Sequence, residues 1–340
     1  MYDERFDQDA RVTNMLGTQY PGQYMNTIEV EHLTKFYGRA RGVTDLSFTV
    51  AKGEIMGFLG PNGSGKTTTM RMLTCFFPPT GGTARICGHD ILKEPLEVRR
   101  RIGYLPESVP LYLDMSVRGY LRFFAEVKGV PPQSRRGRVE EIIKRCGLEQ
   151  HAHRLIGKLS KGYRQRVGIS QALLSDPEVL ILDEPTIGLD PRQIIEIRNL
   201  IKDLGSTRTV ILSTHILPEV SMICNRVIII HEGRLVAVDS LENLMRHIQQ
   251  TPQIMVRAAG PDEQIIRVLG AVRGVAAVQY RSTGTAKLDY YQVDTEQGAR
   301  IMNELARVII DHGWELQEIR PVDVTLEQIF IKLVTEEAEA

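Results

Sequence analysis

The stretch GEIMGFLGPNGSGKTTT, Gly53–Thr69, decides how this chain folds. Ile55, Met56, Phe58 and Leu59 form a short apolar run, the pattern of a strand buried on both faces of a parallel sheet. The chain then turns through Gly60, Gly63 and Gly65, and a helix is predicted from Lys66. Gly60, Gly65, Lys66 and Thr67 satisfy the spacing G-x-x-x-x-G-K-[ST]. Without a Cβ at the glycines, the backbone N–H groups of this loop can close around phosphate oxygens. The helix N-terminus adds roughly half a positive charge aimed at the same anion. Lys66 is placed to reach the β- and γ-phosphates, and the Thr67 hydroxyl to ligate Mg²⁺. Pro61, Asn62, Ser64 and Thr68 complete the predicted phosphate-binding loop. A bare glycine turn is the competing reading, and the full residue set behind an apolar strand argues against it.

At 340 residues the chain has room for one large domain and one small one. A formal net charge of zero gives no global field toward nucleic acid or anionic lipid, so neither is an expected partner. The local clusters Arg99–Arg101 and Arg135, Arg136 and Arg138 read as solvated helix faces. Cys75, Cys87, Cys146 and Cys224 lack C-x-x-C spacing and read as reduced, mostly buried thiols of a cytosolic protein. No apolar run approaches the ~20 residues that span a bilayer, and the acidic start MYDERFDQDA is no secretion signal. Any membrane role is therefore expected to pass through a partner.

Residues 1–25 are polar, without clear periodicity, and read as a loosely ordered extension. Strand patterns begin at TIEVEHLTKFYG and continue through VTDLSFTV. Tyr37, at the end of the first, is either a core residue or an aromatic able to stack on a purine. GGTARICGHDI reads as a strand hairpin, and a mostly helical stretch is expected over 95–174, broken by the extended segment IGYLPESVPLYLDMSV. Ser160 is a predicted N-cap ahead of a helix with apolar Val167, Ile169, Ala172 and Leu173. Val179–Leu182 is a second buried strand, delivering Asp183 and Glu184 to the carboxyl end of the sheet, where ligands bind. Asp183 is expected to hold Mg²⁺ with Thr67, and Glu184 to orient and deprotonate a water attacking the γ-phosphate. TVILST then delivers His215, read as a γ-phosphate contact rather than a structural histidine.

Taken in order, these residues resemble the nucleotide-binding subunit of ABC (ATP-binding cassette) transporters over about 28–239. Tyr37 looks like that family's adenine-stacking aromatic, and Gly60–Thr68 like its Walker A loop. LSKGY, Leu159–Tyr163, is similar to the LSGGQ signature; Asp183 and Glu184 match the Walker B aspartate and catalytic glutamate. Asp190 in TIGLD matches the D-loop, and His215 the switch histidine. The resemblance implies an α/β fold: an ABC-type P-loop NTPase domain over 26–245, with a β-subdomain, a RecA-like core and a helical subdomain. It implies ATP and Mg²⁺ as ligands, and a head-to-tail dimer in which Ser160 and the Gly162 N–H complete the partner's site. A homodimer is favoured because each chain carries both halves.

Two residues depart from the family pattern. Glu107, in GYLPES, replaces the Q-loop glutamine and is expected to ligate Mg²⁺ directly or through water. Lys161 replaces the first signature glycine and opposes the helix dipole. With YLPE and LSKGYRQR these features resemble the ABC-2 type exporter branch, implying a separate membrane-spanning permease and a peripheral location on the cytoplasmic face of the membrane. Val109, Leu111, Tyr112 and Leu113 suit either a dock for that permease or a buried core. A soluble ABC ATPase of chromosomes or ribosomes is disfavoured, because the chain has one cassette and no long coiled coil. An ATP-sensing module without turnover is disfavoured by the intact Glu184 and His215. Over 250–337 the pattern β-α-β-β-α-β predicts a small α+β ferredoxin-like domain, closed by an amphipathic helix at TLEQIFIKLV.

Overall fold

Alternating burial marks the first strands of the chain, seen in a computed structural model that describes residues 26–248, 253–281, 289–296 and 301–322. The predicted extension over 1–25 and the closing helix over 325–334 lie outside these residues. β1 (Asn26–Tyr37) and β2 (Ala40–Ala51) pair antiparallel across a turn in which Gly38 takes φ 60°. β3 (Ile55–Leu59) is buried at every residue, which is why it reads as a continuous apolar run. After α1 (Lys66–Leu73), the predicted hairpin appears as β4 (Gly81–Ile86) and β5 (His89–Asp90), in a sheet of order β2-β1-β4-β5.

The extended segment predicted to break the helical stretch begins not as a loop but as a strand. Between α2 (Pro95–Arg101) and the helices that follow, β6 (Ile102–Leu105) is a strand paired parallel with the strand at 179–183. Four residues behind three arginines are too few to show a strand period. Gly103 allows the close packing there, since a Cβ on it would lie 2.5 Å from the Ala172 carbonyl oxygen. α3 (Val117–Val127), α4 (Pro132–Arg145) and α5 (Lys161–Leu173) share one apolar core, built on Tyr120, Leu121, Ile142, Ile143 and Val167.

The remaining elements of the core are β7 (Val179–Asp183), α6 (Pro191–Gly205), β8 (Thr209–Thr214), α7 (Leu217–Ile223), β9 (Arg226–His231), β10 (Arg234–Ser240) and α8 (Leu241–Ile248). The six-stranded sheet runs β10-β9-β3-β8-β7-β6, all parallel except the antiparallel edge strand β10. Because β3, β7 and β8 run the same way in register, with Leu59 beside Thr214 and Asp183 beside Ser213, their carboxyl ends share one edge. This is a RecA-like P-loop NTPase core with a helical subdomain.

A small mixed domain follows: β11 (Gln253–Ala259), α9 (Asp262–Gly270), β12 (Val275–Arg281), β13 (Asp289–Thr295), α10 (Met302–Asp311) and β14 (Glu315–Val322). Its antiparallel sheet has the order β12-β13-β11-β14, matching the expected β-α-β-β-α-β plan. Ile254, Val256 and Ala258 point to one face of β11 and pack against Ile265, Leu269, Leu305 and Ile309 of the two helices.

Candidate functional site

The loop after β3 is shaped by the absence of side chains at two points. A Cβ on Gly60 would lie 2.3 Å from the Ile230 carbonyl oxygen and 2.5 Å from Ser64 Oγ. One on Gly65, at φ 106°, would lie 2.4 Å from Val43 Cγ1. Gly63 takes φ 83° at the loop's open side. Ser64 is turned inward: its N–H donates to the Pro61 carbonyl (3.2 Å) and its carbonyl accepts from Gly233 N (2.9 Å). Lys66 leads α1 and folds back, donating to the carbonyls of Gly60 (2.8 Å) and Pro61 (3.2 Å).

The end of β7 meets this loop. Thr67 Oγ1 donates to Asp183 Oδ1 (3.2 Å), which also accepts from Ser213 Oγ at 2.5 Å. Glu184 Oε1 lies 3.4 Å from Lys66 Nζ, with both side chains only 6% exposed. Glu184 takes φ 48°, the left-handed region that a glutamate rarely adopts. Its N–H is held by both the carbonyl and the hydroxyl of Ser213, each at 3.1 Å. His215 Nδ1 stands 3.1 and 3.0 Å from the two Glu184 carboxylate oxygens. Sequence reasoning missed Ser213, whose signal is a hydroxyl following the apolar run Val210–Leu212, at the register position beside Asp183. Tyr104 on β6 adjoins these groups. Burial pushes its phenol up to about 12, the Asp183 carboxylate adds to the rise, and Arg71 opposes it.

A cavity of about 350 Å³ opens over the loop, bordered by Tyr37, Asn62, Lys66, Thr67, Glu107 and Glu184 among others. Thr68 also borders it, with its hydroxyl 3.4 Å from that of Tyr37. The Tyr37 ring is 47% exposed and meets Phe77 edge-on at 5.9 Å, so the core reading of Tyr37 is excluded. Glu107 is exposed at the rim.

Ser160, Gly162 and Asp190 do not border this cavity. Ser160 caps α5 by accepting from Tyr163 N, and Asp190 caps α6 by accepting from Gln193 N (2.9 Å). Gly162 lets Gln193 lie against the start of α5, since a Cβ there would stand 2.5 Å from its Oε1. Lys161 folds over Gly188, its Nζ 2.3 Å from where a Cβ on that glycine would be.

The donor set fits a magnesium nucleotide. Asp183 Oδ2 is buried with no hydrogen-bond partner, and Thr67 contributes a second hard oxygen beside Oδ1. Among the described residues no group of three His, Cys, Asp or Glu could hold a metal by itself. Few protein oxygens is the usual situation of magnesium that arrives with phosphates.

The ABC transporter family model matches residues 43–187. The bacitracin transport ATP-binding protein BcrA of Bacillus licheniformis is 33% identical over 309 residues, covering 90% of this chain and 97% of that protein. The Nod factor export ATP-binding protein I of Paraburkholderia xenovorans is 40% identical over 214 residues, 62% of this chain and 69% of that one. Among solved structures, the dimeric form of MJ0796, a bacterial ABC transporter cassette, superposes with a TM-score of 0.58 at 27% identity, over 63% of this chain and 98% of that one. With a relative aligned along almost its full length and the Walker residues gathered on one sheet edge, the chain belongs to the ATP-binding, ATP-hydrolysing subunits of ABC transporters.

Proposed function

We propose that this chain is the motor subunit of an ABC-2 type exporter, working as a head-to-tail pair on a separate membrane-spanning permease. The observation that carries the ATPase part is the meeting of Lys66, Asp183, Glu184 and His215 at the carboxyl ends of β3, β7 and β8. In this reading Tyr37 stacks on adenine and the N–H groups of the loop from Gly60 to Thr68 hold the phosphates. Glu184 orients the attacking water and takes its proton, and His215 contacts the γ-phosphate while holding Glu184. Thr67 and Asp183 hold magnesium, with Glu107 at the rim as a further ligand through water; when bound, the ion neutralises phosphate charge. Ser160, Gly162 and Asp190 face a second copy, which is consistent with their lying off the cavity within one chain.

Export is supported by the relative that acts in Nod factor export, and transport by the one that acts in bacitracin transport. No helix among the described residues is long and apolar enough to cross a membrane. In this reading the permease holds the chain peripherally at the cytoplasmic face of the membrane. The segment at 107–115 divides between two roles. Val109 and Leu111 pack into the helical core, whereas Leu113 and Tyr112, whose ring lies 6.0 Å from that of Phe123, are half exposed and offer an apolar face to the permease.

Replacing Glu184 with Gln should cut turnover at least ~100-fold while ATP still binds, and should trap an ATP-bound dimer on a sizing column. Undiminished phosphate release would remove Glu184 as the base. The pairing is tested by mixing Lys66→Ala with Ser160→Arg chains, each inactive alone. A mixture that regains turnover contains an intact site built from two chains, and one that stays silent refutes the head-to-tail arrangement. Cells lacking the chain should become more sensitive to some member of a panel of membrane-active peptides, and unaltered sensitivity throughout would count against export.

A further inference from the structure

Behind the pair formed by Glu184 and His215 lies a third acidic side chain, brought by α7. Glu219 is 1% exposed, and its Oε2 accepts from two hydroxyls, Thr186 Oγ1 at 2.6 Å and Thr214 Oγ1 at 3.0 Å. Arg198 of α6 stands 3.7 Å from Oε1. Burying a carboxylate is costly unless it is paired and hydrogen-bonded; two charge-assisted bonds converge on Oε2, while Oε1 has no hydrogen-bond partner and faces only the Arg198 guanidinium. The location of the two donors matters more than their number. Thr186 lies two residues after Glu184, and Thr214 immediately precedes His215. Thr214 Oγ1 also accepts from Ile216 N (3.0 Å), so the chain is tied on both sides of the histidine. One oxygen atom thus joins the segment carrying the general base to the segment carrying its histidine partner. The join is needed because Glu184 sits at φ 48°, which persists only where the surroundings over-determine it.

We propose that Glu219 is a positioning residue for ATP hydrolysis: by gathering Thr186 and Thr214 on one carboxylate oxygen, it holds Glu184 and His215 in contact. It acts through those two residues and touches no substrate. The proposal rests on Glu184 being the base, and the tests separate the two.

In Glu219→Ala, kcat should fall ~10- to 100-fold, the cost of a small displacement of reacting groups, while nucleotide affinity stays within about threefold. Glu219→Gln keeps an acceptor oxygen for both hydroxyls and should recover kcat to within about threefold of the parent. Adding Glu219→Ala to His215→Ala should cost little more than His215→Ala alone, since residues acting as a unit are non-additive. Should Glu219→Ala fail to fold, Thr186→Val and Thr186→Ser decide, with the valine slow and the serine near normal. The clamp is refuted if folded Glu219→Ala keeps its kcat and loses only thermal stability, if the glutamine variant is as slow as the alanine, or if the two losses multiply. A slow Glu184→Gln beside a normal Glu219→Ala sinks the clamp alone, whereas an active Glu184→Gln sinks the base on which it rests.

Discussion

Gly65 shows what single residues decide in this protein. It takes φ 106° with Val43 Cγ1 2.4 Å and the Gly42 carbonyl oxygen 2.9 Å from where a Cβ would sit. Gly129 takes φ 74° with nothing within 4 Å. Both glycines serve a left-handed backbone, but only Gly65 also serves a close approach. Gly129→Ala should therefore cost about 1–2 kcal/mol of stability through strain alone and leave ATP binding intact. Gly65→Ala should cost the same strain and also displace the loop, weakening nucleotide binding at least ~10-fold because N–H groups leave their positions. Titration with a fluorescent nucleotide beside thermal melts separates the two effects, and equal binding losses would show that strain is the whole cause. Gly65 and Lys66 were legible from a local pattern of fixed spacing, and Asp183, Glu184 and His215 from their places at the ends of apolar strands. Ser213 and Glu219 were not, because their importance comes from partners such as Asp183 and Thr186, about thirty residues away and brought near only by the sheet.

Between elements, the short link from α5 to β7 carries an ion cluster that ties three segments. Asp176, at φ 52°, accepts at Oδ1 from Arg208 Nη2 (2.5 Å), just before β8, and from Arg138 Nη2 (2.9 Å) on α4. Partial burial raises the Asp176 pKa, but the hydrogen bond from Arg208 and the charges of Arg138 and Arg208 outweigh it and hold the carboxyl below its usual range. A folded pKa below the unfolded one means stability present above the unfolded value, near 3.9, and lost as pH falls through the folded value. In thermal melts Asp176→Asn should thus show lower stability at neutral pH, by about 1 kcal/mol or less, because the carboxylate is largely exposed. The difference should close once the pH lies below the folded-state pKa, and a gap that persists there would assign the loss to packing instead. Elements with a strong local signature were legible in the sequence: β3 and β7 as apolar runs, α5 from its Ser160 cap. β6 was hidden because an edge strand of four residues has no room for a period, and only pairing with β7 makes it a strand. The basic clusters, expected as solvated helix faces, do lie on helices but are engaged with neighbours: Arg100 and Arg101 pair with Glu97, and Arg138 with Glu141 and Asp176.

The apolar interior of the whole chain falls into separate clusters, and every residue of one of them comes from Ile254 onward. The other three clusters draw only on residues up to Leu244. We propose that the two parts unfold as separate cooperative units, since cooperativity follows shared core. The later unit has ten fully buried apolar residues among those described, and so small a core buries too little surface to match the melting point of the larger one. Calorimetry of the full chain should resolve two transitions, the lower with roughly a third of the enthalpy of the upper, because unfolding enthalpy scales with residue count. Nucleotide identifies them. A ligand binding only the folded ATPase unit at ~100 times its Kd adds about 2.7 kcal/mol to that unit and nothing to the other. Magnesium nucleotide should therefore raise the upper transition and leave the lower in place. A single transition that moves as a whole would show instead that the late domain is welded to the ATPase, and that its stability is part of the catalytic unit.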